Sequence, residues 1–219
     1  MSTLNVPRLE FAVQYPDITL ISDMLDTMVP FHKIDLINWK EFNYSPFVSF
    51  SVACSSKEIF LKYRVKENYL LAVNTETNQK VWEDSCVEFF FSPDEGGKYY
   101  NFEFNAIGTC LVGYGEQRHN RRLMDKSVVE SIRRHPTLGK EPILVEQTGE
   151  LFWDLTIAIP FGLFGKREQF PVVGRRYRAN FYKCGDKLSV PHFLTWSPVN
   201  TEKPDFHAPE FFGDLVFCG

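Results

Sequence analysis

The stretch YYNFEFNA, Tyr99–Ala106, decides how this chain is read. Side chains of a strand alternate between its two faces. Here Tyr100, Phe102, Phe104 and Ala106 share one face, and Asn101, Glu103 and Asn105 share the other. A period of two, built from aromatics, predicts a strand with one face in a core. Just before it, CVEFFF (Cys86–Phe91) puts Val87, Phe89 and Phe91 on one side and Glu88 with Phe90 on the other. Ser92–Gly97, with its Pro and two Gly, reads as the turn of a hairpin that brings Glu88 beside the Asn101, Glu103, Asn105 row.

Working outward, Phe47–Cys54, Ile59–Val65 and Tyr69–Val73 read as three short strands of a meander. The last third returns to strands at Leu151–Ile159, Tyr177–Cys184, His192–Trp196 and Leu215–Phe217. Two segments have helical spacing. Ile21, Met24, Leu25 and Met28 follow Asp17, a candidate cap. Met124, Val128, Val129 and Ile132 form a stripe between Asn120 and Arg134 that Pro136 ends. Many short strands with few helices select an all-β class: an antiparallel β-sandwich, immunoglobulin- or jelly-roll-like, with one or two short peripheral helices. No repeat or linker interrupts it, so residues 1–219 are expected to form one domain, with 1–40 as an extension packed on it.

Composition narrows the function. The 21 Phe, 9 Tyr and 4 Trp favour strands, and those the core does not take supply flat apolar faces for a ligand, while a net charge of −4 with no long basic run argues against a phosphate-tracking surface, hence against nucleic acid. The pairs Arg121/Arg122 and Arg133/Arg134 read as solvated flanks of the second helix. Cys54, Cys86, Cys110, Cys184 and Cys218 are odd in number and lack paired metal spacing, so they read as free thiols. No apolar run is long enough to span a membrane and no leader is evident, which predicts a cytoplasmic monomer, or a periplasmic or secreted one if a leader was trimmed.

A second polar row runs along Arg176, Arg178, Asn180 and Tyr182. Amides, carboxylates and guanidinium groups fixed on a strand face suit a ligand rich in hydroxyls, and indole rings suit the C–H faces of a pyranose. Trp82 and Trp196 flank the polar strands, whereas Trp39 and Trp153 fit a core.

The runs VWEDSCVEFF (Val81–Phe90), YYNFEFN (Tyr99–Asn105), RANFYK (Arg178–Lys183), TWSP (Thr195–Pro198) and FHAPEFFG (Phe206–Gly213) together resemble the family 9 carbohydrate-binding modules, and more closely the bacterial family 9-like domains within the DOMON-type sandwich group. The resemblance implies a sandwich that clamps a saccharide between two tryptophans, with structural calcium in some members and a role in polysaccharide catabolism. Trp82 and Trp196 match the clamping pair, and Glu88, six residues after Trp82, matches a polar contact. Asn101, Glu103, Asn105, Arg178 and Asn180 join the site by strand parity. For calcium, Asp84, Asp94 and Glu95 could offer oxygens, although no Asp-x-Asp-x-Asp loop is present. As read, the sequence is expected to stand alone, without the catalytic neighbour usual for the family.

Three rival readings stay open. Glu88 and Glu103 share a face and could serve a glycoside hydrolase, whose carboxyls stand ~5–9.5 Å apart. His32, His119, His135, His192 and His207 are the axial candidates for haem, with none opposite another, and His207 reads as a loop residue bonded to backbone. An aromatic surface could also dock a protein.

Overall fold

The computed structural model describes residues 2–94, 97–165 and 170–219. Its elements run β1 (Thr3–Val6), α1 (Ile18–Met28), β2 (His32–Lys33), β3 (Leu36–Ile37), β4 (Phe47–Cys54), β5 (Glu58–Ala72), β6 (Cys86–Ser92), β7 (Tyr99–Asn105), β8 (Cys110–Gly115), β9 (Arg122–Leu123), α2 (Lys126–Glu130), β10 (Arg133–Pro136), β11 (Ile143–Pro160), β12 (Arg176–Cys184), β13 (Phe193–Thr195) and β14 (Gly213–Phe217). Two sheets face each other, as the all-β reading expects. The larger is ordered β1-β14-β12-β6-β7-β8-β9, with β13 beside β12 and β3 beside β13; the smaller is β10-β11-β5-β4-β2. Neighbours are antiparallel except β1 and β14, which run parallel with Thr3 opposite Asp214 and Val6 opposite Phe217.

The inward rows of the two sheets build an aromatic core. Phe89 and Phe91 of β6, Phe102 and Phe104 of β7 and Phe181 of β12 meet Phe50, Tyr63 and Trp153 of the smaller sheet, all essentially inaccessible. Phe50 stacks on Phe181 with centroids 3.8 Å apart. Polar bonds also cross this core. The Tyr63 hydroxyl donates to Glu88 O at 2.9 Å, and the Lys183 ammonium meets Glu67 at 2.8 Å, both side chains fully buried. Lys183 also donates to His192 Nε2 at 2.8 Å, and Trp153 Nε1 donates to the second Glu67 oxygen.

Neither outer face is left bare. Helix α1, capped by Asp17 accepting from Thr19 N, lays Ile21 and Leu25 on Ala53, Phe60 and Ala158 of the smaller sheet. On the larger sheet a second apolar layer around Trp39, Val199, Phe206 and Phe212 covers Phe90, Tyr99 and Tyr182. Burial on both faces explains why β6 reads CVEFFFS rather than as a clean alternation.

The structure corrects three sequence expectations. Ile59–Val65 and Tyr69–Val73 are one continuous strand, β5, paired along its length with β11. The second helix shrinks to the five residues of α2: its stripe was real, and Val129 and Ile132 are buried, but Arg133–Pro136 pair with Leu155–Ala158 as an edge strand, where proline is tolerated. Strand β8, whose Gly113 and Gly115 hid it, was missed.

Candidate functional site

On the outer face of the larger sheet the covering layer leaves one cavity of about 440 Å³, within the range of small-molecule sites. Strand parity supplies its floor. Glu88 and Phe90 come from β6, Asn101 and Glu103 from β7, Leu111 and Gly113 from β8, and Cys184 from β12. Glu88 and Glu103 are register partners, as are Cys86 and Cys184. The walls come from outside the strands: Trp82 on the short 3-10 turn Val81–Glu83, the connection Arg118–Arg121 between β8 and β9, Asp186 after β12, and Asp205–His207.

The polar floor is wired in a chain. Arg121 Nε donates to Asn101 Oδ1 at 2.8 Å, and Asn101 Nδ2 donates to Glu103 Oε1 at 2.7 Å. The same guanidinium donates to Tyr99 O at 2.8 Å and lies 4.2 Å over the Tyr99 ring. Gly113 makes room for this chain, because a Cβ there would come within 2.5 Å of Asn101 Oδ1. Glu103 Oε2 is buried without a hydrogen-bond donor among the described residues. Glu88 Oε1 lies 3.1 Å from Cys184 Sγ.

Burial and the nearby Glu103 carboxyl push Glu88 well above the usual carboxylate range, and burial raises Glu103 to about 7 despite the help of Asn101 and Arg121. The floor is therefore short of positive charge. His207 goes the other way: burial, followed by repulsion from Arg121 and Arg118, drops it to about 3. Its neutral ring shares a hydrogen bond of 2.9 Å between Nδ1 and the Tyr99 hydroxyl, a contact to a side chain rather than the backbone bond expected from the sequence.

Of the eight residues picked out in the sequence, the cavity gathers Trp82, Glu88, Asn101 and Glu103. The other four lie elsewhere. Trp196 packs edge-on against Phe50 and Phe181, on the inter-sheet side of its sheet, so it does not face Trp82 across the cavity. Asn180 is consumed by backbone: its Oδ1 accepts from Phe181 N and Ser197 N, and its Nδ2 donates to Ser197 O. Asn105 bonds Asp84 and Asn74 O while accepting from Thr109 N. Arg178 reaches Phe212 O and sits 3.8 Å from Asp214.

The sequence reading missed the Arg118–Arg121 connection, having assigned Arg121 to a helix flank. The signal in the sequence was the residue type of Asn120, since asparagine tolerates the turn conformation that it adopts here, with φ of 60°, and a helix interior does not. The oxygens offered for calcium do not converge. Asp84 and Asp94 stand beyond opposite ends of β6, and Glu95 lies outside the described residues. Asp84 Oδ2 is already spent on Asn74 N and Asn105 Nδ2.

Comparison with known proteins closes the case for the fold. No curated protein matches the chain. A protein from Bacteroides uniformis, described provisionally as carbohydrate-binding, is 40% identical over 98% of each chain, with a TM-score of 0.91. Two structures of a family 9 carbohydrate-binding module from Caldicellulosiruptor kristjanssonii, one with glucose and one with cellotriose, share the fold at 11% identity. Their TM-scores are 0.57 and 0.62, and the matches cover 100% of this chain and 96% and 94% of theirs. The family model for carbohydrate-binding family 9 matches residues 19–217. The chain belongs to carbohydrate-binding family 9.

Proposed function

We propose that the cavity on the outer face of the larger sheet binds a saccharide without cleaving it. One observation carries the reading: the half-buried Trp82 lines the same cavity as Glu103, whose Oε2 is buried without a donor among the described residues. A pyranose needs both, an aromatic plane for its C–H face and fixed acceptors for its hydroxyls. Trp82 is the stacking face, Phe193 and Phe206 complete the apolar wall, and Glu103, Asn101 and Arg121 address hydroxyls above a floor closed by Glu88. The family 9 modules that hold glucose and cellotriose support a sugar of this class.

Catalysis fits the geometry poorly. Glu88 and Glu103 are neighbours on one sheet face and reach the ligand from the same side. Glycoside hydrolysis sets its two carboxyls on either side of the scissile bond.

The test is calorimetric titration with glucose, cellotriose and a wider glycan panel, repeated on Trp82→Ala. Loss of one stacked ring should weaken the best ligand about tenfold or more. The melting temperature should hold, because Trp82 is not part of the inter-sheet core. Equal affinity in Trp82→Ala would remove the cavity from consideration, and release of reducing ends from any glycan would overturn the non-catalytic reading.

A further inference from the structure

In the floor of the saccharide cavity, Glu88 stands beside two thiols that sugar binding does not use. Cys86 and Cys184 are directly opposed across β6 and β12, and Glu88 follows Cys86 by two on the same face. All three are buried, and one donor atom from each lies within 4.8 Å of the others. Glu88 Oε1 is 3.1 Å from Cys184 Sγ and 4.0 Å from Cys86 Sγ.

We propose that Cys86, Cys184 and Glu88 form a binding site for a thiophilic divalent cation of the zinc type, with its fourth position open to the cavity.

The distances fit the metal. Zinc bonds of about 2.3 Å to sulfur and about 2.0 Å to oxygen at tetrahedral angles put sulfur and oxygen ligands roughly 3.5 Å apart. The two observed separations lie on either side of that figure. Thiolate with carboxylate selects zinc or cobalt over calcium or magnesium, which take oxygen alone. Three protein ligands with one open position is the pattern of a metal site that also receives an outside ligand. Cys184 and Glu88 line the cavity, so the open position faces it.

Charge supplies an independent argument. Glu88 and Glu103 are opposed and buried, and among the described residues neither forms an ion pair. The nearby cations are committed elsewhere: the Lys183 ammonium to Glu67 and His192, the Arg121 guanidinium to Asn101 and Tyr99. A divalent ion would provide the charge this floor lacks. Both thiols are fully buried, so they bind only a metal that displaces their protons. The two thiol protons, and the proton that the buried Glu88 carboxyl carries, pass to solvent as two metal–sulfur bonds and one metal–oxygen bond form, with no change of oxidation state.

The experiment uses the whole chain, purified with reductant and stripped with chelator, then titrated with Zn2+ and separately with Co2+. One ion per chain is expected, with sulfur-to-cobalt charge-transfer absorption in the near ultraviolet. Calorimetry in buffers of different ionisation heat should show about two to three protons released per zinc, two from the thiols and the remainder from Glu88. Cys86→Ser and Cys184→Ser should each lose the charge-transfer band, while Cys110→Ser, buried outside the cluster, should keep it. If the cluster variants fold poorly, Glu88→Gln gives a second reading: it should weaken zinc at least tenfold and keep the thiolate absorption at high cobalt. No stoichiometric metal, a band that survives in Cys86→Ser, or a Cys86–Cys184 disulfide in place of bound metal would each overturn the proposal. Saccharide titration with and without zinc separates the two sites, because a protein that binds metal and no sugar would sink the functional reading alone.

Discussion

Asn101 is the residue on which the candidate site turns. It cannot bond Glu103 and Arg121 together unless the neighbouring strand yields space, and Gly113 yields it by having no side chain. Gly113→Ala should therefore push Asn101 aside and break the chain from Arg121 to Glu103. Losing one such bond to a charged group costs about 1.5 kcal/mol or more, so calorimetry should show saccharide affinity reduced at least tenfold. His207 gives a residue-scale pH signature. The unfolded chain takes a proton near 6.5, and the folded ring refuses it until about 3. Stability contributed by neutral His207 is thus present above pH 6.5 and declines as pH falls below it. Glu88 and Glu103 act oppositely, since raised carboxyls stabilise at low pH and lose that contribution as pH rises through their folded values. Urea unfolding of wild type and His207→Gln, on metal-free protein, isolates the histidine. Between pH 6.5 and 4.5 the wild type should fall more steeply, by at most about 1.4 kcal/mol per pH unit.

At the scale of elements, the Arg118–Arg121 connection depends on one side chain. Arg121 reaches Asn101, Tyr99 O and Gln117 O, pinning its loop to β7. Arg121→Ala should raise amide exchange across Glu116–Arg121 while β6 and β7 stay protected, which hydrogen-exchange mass spectrometry would resolve. This scale also shows what the sequence could reveal. Parity along β6 and β7 placed Glu88, Asn101 and Glu103 on one face, because a strand's period leaves no freedom once its inward row is known. Parity is silent beyond strand ends. Strand β13 stops at Thr195, so nothing local says which way Trp196 turns, and it turns to the core. Asn105 and Asn180 do sit on the outer face, but face alone does not separate an amide that meets a ligand from one absorbed by a turn. The walls were harder still, since Phe193, Phe206 and His207 reach the cavity only through contacts distant in sequence.

For the whole molecule, the pairing of two sheets was legible from aromatic rows of period two and the helix over the smaller sheet from its spacing and cap, while the layer of loops covering the larger sheet was not. The sheets are also joined by a charge. Lys183 from the larger sheet and Glu67 from the smaller are sealed together, and neither has access to water. Lys183→Met should leave Glu67 stranded and cost about 3–5 kcal/mol in urea unfolding. The double variant Lys183→Met/Glu67→Leu should recover much of that loss, because the pair's desolvation cost disappears with it. If the single variant unfolds no more easily than wild type, the sheets are held by their aromatic core alone.

The parallel pairing of β1 with β14 bears on how the molecule responds to pulling. Thr3 lies beside Asp214 and Val6 beside Phe217, so tension on the two chain ends draws these strands past one another lengthwise. Every rung of that short ladder then carries load at once, instead of opening in sequence like a zipper. A domain stretched by its two ends would meet its first mechanical resistance there, at the edge of the larger sheet.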